Sequence, residues 1–263
     1  MPIDPVQLRA QAAAAAADLA EPPDCAAAIR RLLEHYADHA HRYSPRLTDS
    51  APPNELKTPA PVLRAVVAAL RRPVRASPAH GLALAEALWT AGTREERRLA
   101  AEVLGLVAPQ LAPEVWALVE AWLPELDSGE TADALAQHAL GPLLASAAYE
   151  AVQRAGRWTQ APNRWLRRFG VAVLAALARD RRWDDVPAAL DGLRGLMGER
   201  EPAVRQAVVA ALQALAARNP SAVIRFVREH ASRSDHNTHA ILRGALRALP
   251  AEAQAELVRA LRA

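Results

Sequence analysis

The sequence predicts an all-α fold, a right-handed α-solenoid of helical hairpins, from three observations. Hydrophobic residues make up 51% of the 263 positions and aromatics only 4%. Ala and Leu, strong helix formers, therefore carry the apolar content, while the residues that favour strands are sparse. Pro and Gly punctuate the chain into helical pieces. Four pieces align: EERRLAAEVLGLVA (95–108), NRWLRRFGVAVLAALA (163–178), EPAVRQAVVAALQALA (201–216) and NTHAILRGALRALP (237–250). Each opens with polar or capping residues and then places apolar side chains at helical spacing.

Taken in order, residues 1–25 form a lead that is either helical or poorly ordered. The stretch RYSPRLTDSAPPNELKTPAPVLR (42–64) is Pro-rich and reads as a loop over 42–58, with a helix starting at about Pro59. GETADALAQHAL (129–140) falls in the gap between the first two aligned pieces. Asp127 and Glu130 have the spacing of a capping box, which starts a helix near Ser128 and puts Asp133 in its second turn. Asn163 and Asn237 are expected N-caps, and AEAQAELVRALRA closes the stack. The whole of 1–263 is expected to be one domain of about six hairpins.

The register places Arg98, Asp133, Arg168, Arg205 and Arg243 at equivalent positions, with separations of 35, 35, 37 and 38 residues. A period of that length fits one helical hairpin, and the form AVRQAVVAALQAL resembles the second helix of a HEAT-type repeat. The concave face is then expected to be basic, with Asp133 its single acid. Charge is uneven. Residues 1–150 hold 13 Lys+Arg against 19 acids, a balance of −6, and residues 151–263 hold 19 Arg against 10 acids, a balance of +9. A basic half of this kind points to a polyanion partner. All basic residues but Lys57 are Arg, whose planar fork suits phosphate; a GC-rich genome is the plainer source of that preference.

Four stretches resemble the AlkD-type DNA alkylation repair proteins, a family of HEAT-like-repeat DNA glycosylases: NELKTPAPVLR (54–64), LWTAGTREERRLAAEVL (88–104), RWTQAPNRWLRRFGVAVL (157–174) and AVRQAVVAALQALAARNPSAVIRFV (203–227). The resemblance covers roughly residues 30–250 and is specific in combination. It implies that Asp133 matches the acting carboxylate of the family's W-x-x-x-D stretch, and that Arg168 matches an arginine on phosphate. The tryptophan four residues before that Asp falls on Gly129, and a second falls near Ala210, so both are absent. Trp116 and Trp122 are the nearest substitutes in sequence.

The implied function is excision of cationic N3- or N7-alkylpurines from double-stranded DNA. Asp133 would stabilise the oxocarbenium-like sugar, as a carboxylate does in glycoside hydrolysis. Arg98, Arg164, Arg168, Arg205 and Arg243 are the candidate DNA-binding residues. Trp122, Trp158 and Trp165 are the candidate lesion-adjacent aromatics, with cation–π attraction as their role. Two other functions stay open, a non-catalytic DNA-binding paralogue and a protein-interaction scaffold. The plainer reading of Asp133 is an ion pair with Arg98 or Arg168, of the arginine row a solvated face, and of Trp158 and Trp165 packing.

No cofactor and no metal are expected. His35, Asp38, His39 and His41 lie close in EHYADHAHRY but lack a third partner at ligand spacing. There is no P-loop, GxGxxG, GxSxG or CxxC motif, and the lone Cys25 reads as a small apolar residue. The N-terminus lacks a basic n-region and is not expected to be a signal peptide, and no apolar run reaches the ~18 residues of a membrane span. A cytoplasmic monomer beside the bacterial nucleoid is expected.

Overall fold

The computed structural model describes residues 3–43, 54–231 and 235–260, and among these every regular element is helical. Residues 44–53 of the expected Pro-rich loop lie outside the described residues. The chain divides into two compact units between Ala121 and Trp122.

The first unit contains α1 (Pro5–Ala15), α2 (Pro22–Tyr43), α3 (Ala60–Ala76), α4 (Pro78–Ala91), α5 (Arg94–Val107) and most of α6 (Ala112–Trp122). Here α1, α3 and α5 pack in succession as one row, and α2 packs on α4 as a second. Thr93 opens α5 with a full capping box: its Oγ1 accepts from the Glu96 amide at 3.3 Å, and Glu96 Oε2 accepts from the Thr93 amide at 3.2 Å. The neighbouring acid, Glu95, is buried and accepts from the amides of Leu56 and Thr58 at 3.1 and 3.2 Å. That contact fastens the end of the Pro-rich stretch to α5. The helix after it begins at Ala60 with Pro59 at the cap position, as the sequence predicts. Cys25 is fully buried, and burial together with the charge of Asp18 pushes its thiol up to about 11. It is a core residue without thiolate chemistry.

The second unit repeats the two-row arrangement. Its first row is α7 (Gly129–Ala134), α10 (Arg164–Arg179), α12 (Pro202–Arg218) and α14 (His236–Leu246). Its second row is α9 (Ala148–Trp158), α11 (Val186–Leu193), α13 (Pro220–Ala231) and α15 (Ala251–Ala260), with the short α8 (Gly141–Leu144) between α7 and α9. Each hairpin buries one face against its neighbours, the packing of stacked helical repeats. Along α10 the side chains of Phe169, Val171, Val173, Leu174 and Leu177 are fully buried. Gly170 lets α9 approach closely, since a Cβ there would stand 2.9 Å from the Ala155 carbonyl.

The four aligned pieces are α5, α10, α12 and α14. Arg98, Asp133 and Arg168 are each the fifth residue of their helix and Arg205 the fourth, but Arg243 is the eighth residue of α14, about one turn beyond the expected register, because α14 starts at His236. Two caps differ from expectation. Ser128, and not Asp127, caps α7, accepting from the Thr131 amide at 3.2 Å. Asp235 caps α14, accepting from the Thr238 amide at 2.8 Å. A carboxylate two residues upstream outcompetes Asn237, whose Oδ1 instead accepts from Arg205 at 3.2 Å.

Candidate functional site

The first row brings an acid and an arginine together from 35 positions apart. Asp133 is the fifth residue of α7, and that helix passes directly into a π turn over Leu135–Ala139, where the Leu140 amide reaches the Leu135 carbonyl at 3.0 Å. Such turns are rare and recur at functional positions. Arg168 is the fifth residue of α10. Its Nε donates to Asp133 Oδ1 at 3.0 Å and its Nη2 to Oδ2 at 2.6 Å, a side-by-side pair. Its Nη1 donates to the Ala203 carbonyl in the first turn of α12 at 2.7 Å. One guanidinium therefore ties three successive helices of the row.

Gly129 makes this arrangement possible. A Cβ at that position would stand 2.7 Å from Arg168 Nε, 2.9 Å from Cζ and 3.0 Å from Cδ. The Arg168 side chain fills the space that a side chain at 129 would take, the position where the resemblance implies an aromatic. The side chains keep limited exposure, 17% for Arg168 and 31% for Asp133, so a partner can still reach both.

The other expected arginines are distributed as follows. Arg164 pairs with Glu201 at 3.2 Å and lies over the Trp165 ring at 4.6 Å. Arg205 donates to the Arg200 carbonyl at 2.6 Å and to Asn237. Arg243 is exposed, with no side-chain partner among the described residues. Arg98 lies in the first unit and pairs with Glu102 at 3.1 Å. Arg167, which the register did not single out, makes the most enclosed pair of the row. It donates to both oxygens of Glu199 at 2.8 and 3.1 Å, and to the carbonyls of Ala161 and Pro162. Burial works to raise the Glu199 carboxyl, but the Arg167 hydrogen bonds and charge and the amides of Arg200 and Glu201 outweigh it and hold it below its ordinary range.

The three candidate tryptophans are half-buried or buried. Trp158 meets Phe169 at a ring separation of 4.9 Å, Trp165 is half-buried beneath Arg164, and Trp122 is 6% exposed. Among the described residues no group of His, Cys, Asp or Glu is placed to hold a metal ion.

Residues 56–249 match the family model of the DNA alkylation repair enzyme. The chain belongs to the DNA alkylation repair enzyme family. A comparison with curated proteins gives no match. Membership makes DNA its partner, and the match spans α3 to α14 together with every arginine of the expected row. Among the described residues no helix is long and apolar enough to cross a membrane. Within the matched residues the Asp133–Arg168 pair links α7, α10 and α12, with the carboxylate held by two nitrogens of one guanidinium. Sequence reasoning located both residues but missed the seat at Gly129 and the Ala203 carbonyl. The signal for the first was a glycine one helical turn before the acid.

Proposed function

We propose that the protein is a DNA N-glycosylase that excises cationic N3- or N7-alkylpurines from duplex DNA, acting in the cytoplasm at the nucleoid. The side-by-side Asp133–Arg168 pair carries this reading. A guanidinium has five N–H groups, and Arg168 uses three of them on Asp133 and Ala203. Two remain for a DNA phosphate without the pair breaking. Each oxygen of Asp133 accepts one bond from Arg168, so lone pairs remain to face a sugar.

The pair by itself is nearly neutral. Once a phosphate shares the Arg168 charge, the carboxylate is left uncompensated beside the adjoining sugar. That negative charge is the one an oxocarbenium-like transition state needs, so DNA binding itself would arm the acid. An alkylated purine cation is a good leaving group, and no acid is required to protonate it. Arg164, Arg205 and Arg243 extend the contact along the row, Arg164 and Arg205 by exchanging their present partners for phosphates.

A non-catalytic DNA-binding role is the second reading. It is favoured by Gly129, filled by a guanidinium, and by the exposed Ala210, which leave no aromatic face at the two positions expected to flank a lesion. Single-turnover base release from a duplex with one 7-methylguanine separates the two. Asp133→Asn is expected to slow release on the order of 10²- to 10³-fold while duplex affinity changes little. Tight binding with no release by either protein, across N3- and N7-alkylpurines, would establish the second reading. Absence of duplex binding would leave a scaffold.

A further inference from the structure

The C-terminal ends of α10 and α12, opposite the ends that hold the Asp133–Arg168 pair, carry a second set of arginines. α10 ends at Arg179, the turn after it holds Arg181 and Arg182, and α12 ends at Arg218. Between these helix ends lies an open cleft of about 700 Å³. Ala178, Ala210, Ala214 and Ala217 line it together with Gln213, whose amide is turned to the Gly244 carbonyl, and with Arg179, Arg181 and Arg218; no carboxylate lines it.

The neighbouring acids are engaged or stand apart. Asp180 accepts from Arg182 Nε, Nη2 and backbone amide at 3.1, 2.7 and 2.9 Å, and the Arg182 hydrogen bonds hold its carboxyl at about 2. Asp185 caps α11 through the Ala188 amide. Asp184, beyond Trp183, does not line the cleft. Arg179 and Arg181 are exposed, and among the described residues neither guanidinium has a partner. Arg218 plays another part. Its Nη2 donates to the carbonyls of Arg181 and Trp183 at 3.2 and 2.6 Å, holding the turn that carries Arg181 over the cleft.

We propose that this cleft binds the sugar–phosphate backbone of duplex DNA, with Arg179 and Arg181 on phosphates and Arg218 as a positioning residue. The short alanine side chains admit deoxyribose to van der Waals contact, and the guanidinium groups of Arg179 and Arg181 supply forked donors to phosphate. Arg168 and Arg179 are eleven residues apart on one helix, ~16 Å at the helical rise, so no single phosphate serves both. The cleft is thus a second anchoring point. It rests on the duplex-binding part of the proposed function and not on the chemistry of Asp133.

The test is the salt dependence of full-chain affinity for an unmodified duplex. Each phosphate contact contributes about 0.9 to the slope of log affinity against log salt. Arg179→Ala/Arg181→Ala is expected to lower the slope by about 2, with unchanged thermal melting because both side chains are exposed. Arg218→Lys keeps the charge but releases the turn, and is expected to lower the slope by about 1. Arg225→Ala, an exposed arginine on α13 in the second row, is expected to leave it unchanged. Wild-type binding with the same slope in the double variant would overturn the proposal and leave duplex binding by the first row intact. Competition by inorganic phosphate at matched ionic strength would overturn it in favour of a site for a free anion. Failure of the wild type to bind duplex would remove the proposal and the reading beneath it together.

Discussion

At the N-terminal end of α10, Arg164, Arg167 and Arg168 are all engaged: with Glu201, with Glu199, and with Asp133 and Ala203. At its C-terminal end, Arg179 and the following Arg181 stand open over a cleft. Both ends carry the same residue type, on the same helix, in the basic half of the sequence. What differs is the supply of acids and carbonyls from the adjoining repeats. An engaged arginine has spent some of its donors on structure and an open one has spent none, so counting arginines does not by itself locate a binding surface.

The contrast can be broken by substitution. Arg168→Ala removes three hydrogen bonds from a charged donor and leaves Asp133 without its cation. A stability loss of about 2–3 kcal/mol is expected in denaturant unfolding, on top of slower base release. Glu199→Gln is expected to cost about 2 kcal/mol near neutral pH. Because the Glu199 carboxyl lies below its ordinary value of 4.5 in the folded protein, its contribution is present above that pH and is lost as pH falls through the depressed value. The wild type and Glu199→Gln should therefore converge in acid, which thermal melts across pH would show.

Gly129→Ala sharpens the same comparison. The new Cβ displaces the Arg168 guanidinium, while alanine gains up to ~1 kcal/mol of helix propensity, so the net change in stability is small. In an Arg168→Ala background that gain is unopposed, and a double-mutant cycle is expected to return a clear coupling between the two positions. At the other end of the helix, Arg179→Ala should shift stability by less than ~0.5 kcal/mol. A loss comparable to that of Arg168→Ala would show that the two ends are not in opposite states.

The succession of helical pieces was legible in the sequence because it follows from local patterning: apolar spacing, caps and Pro/Gly breaks; the register of Arg243 was not, since α14 starts at His236. The helix starts at Ala60 and Arg164 could be read directly, the latter from Asn163. Asn237 misled because Asp235, two residues earlier, is a stronger cap, and because Asn237 has a distant partner in Arg205. The meeting of Asp133 with Arg168 followed from the period. The seat for the guanidinium did not, since glycine at 129 looks locally like a simple loss of an aromatic. Its meaning depends on a side chain 39 positions away. The states of the arginines were readable only in part. Glu201 lies one repeat beyond Arg164 and Glu199 near one repeat beyond Arg167, whereas one repeat beyond Arg179 the chain is alanine.

Stacked-repeat proteins behave nearly as linear chains in which each unit senses only the next. Arg168 alters that grammar locally. Its three bonds make the orientation of Asp133 depend on the first turn of α12, through an arginine that belongs to neither helix. The carboxylate is therefore not a portable module. A fragment ending before Pro202 would keep both Asp133 and Arg168 yet lose the carbonyl that fixes the guanidinium, and grafting α7 alone onto another helical array would carry the acid without its orientation.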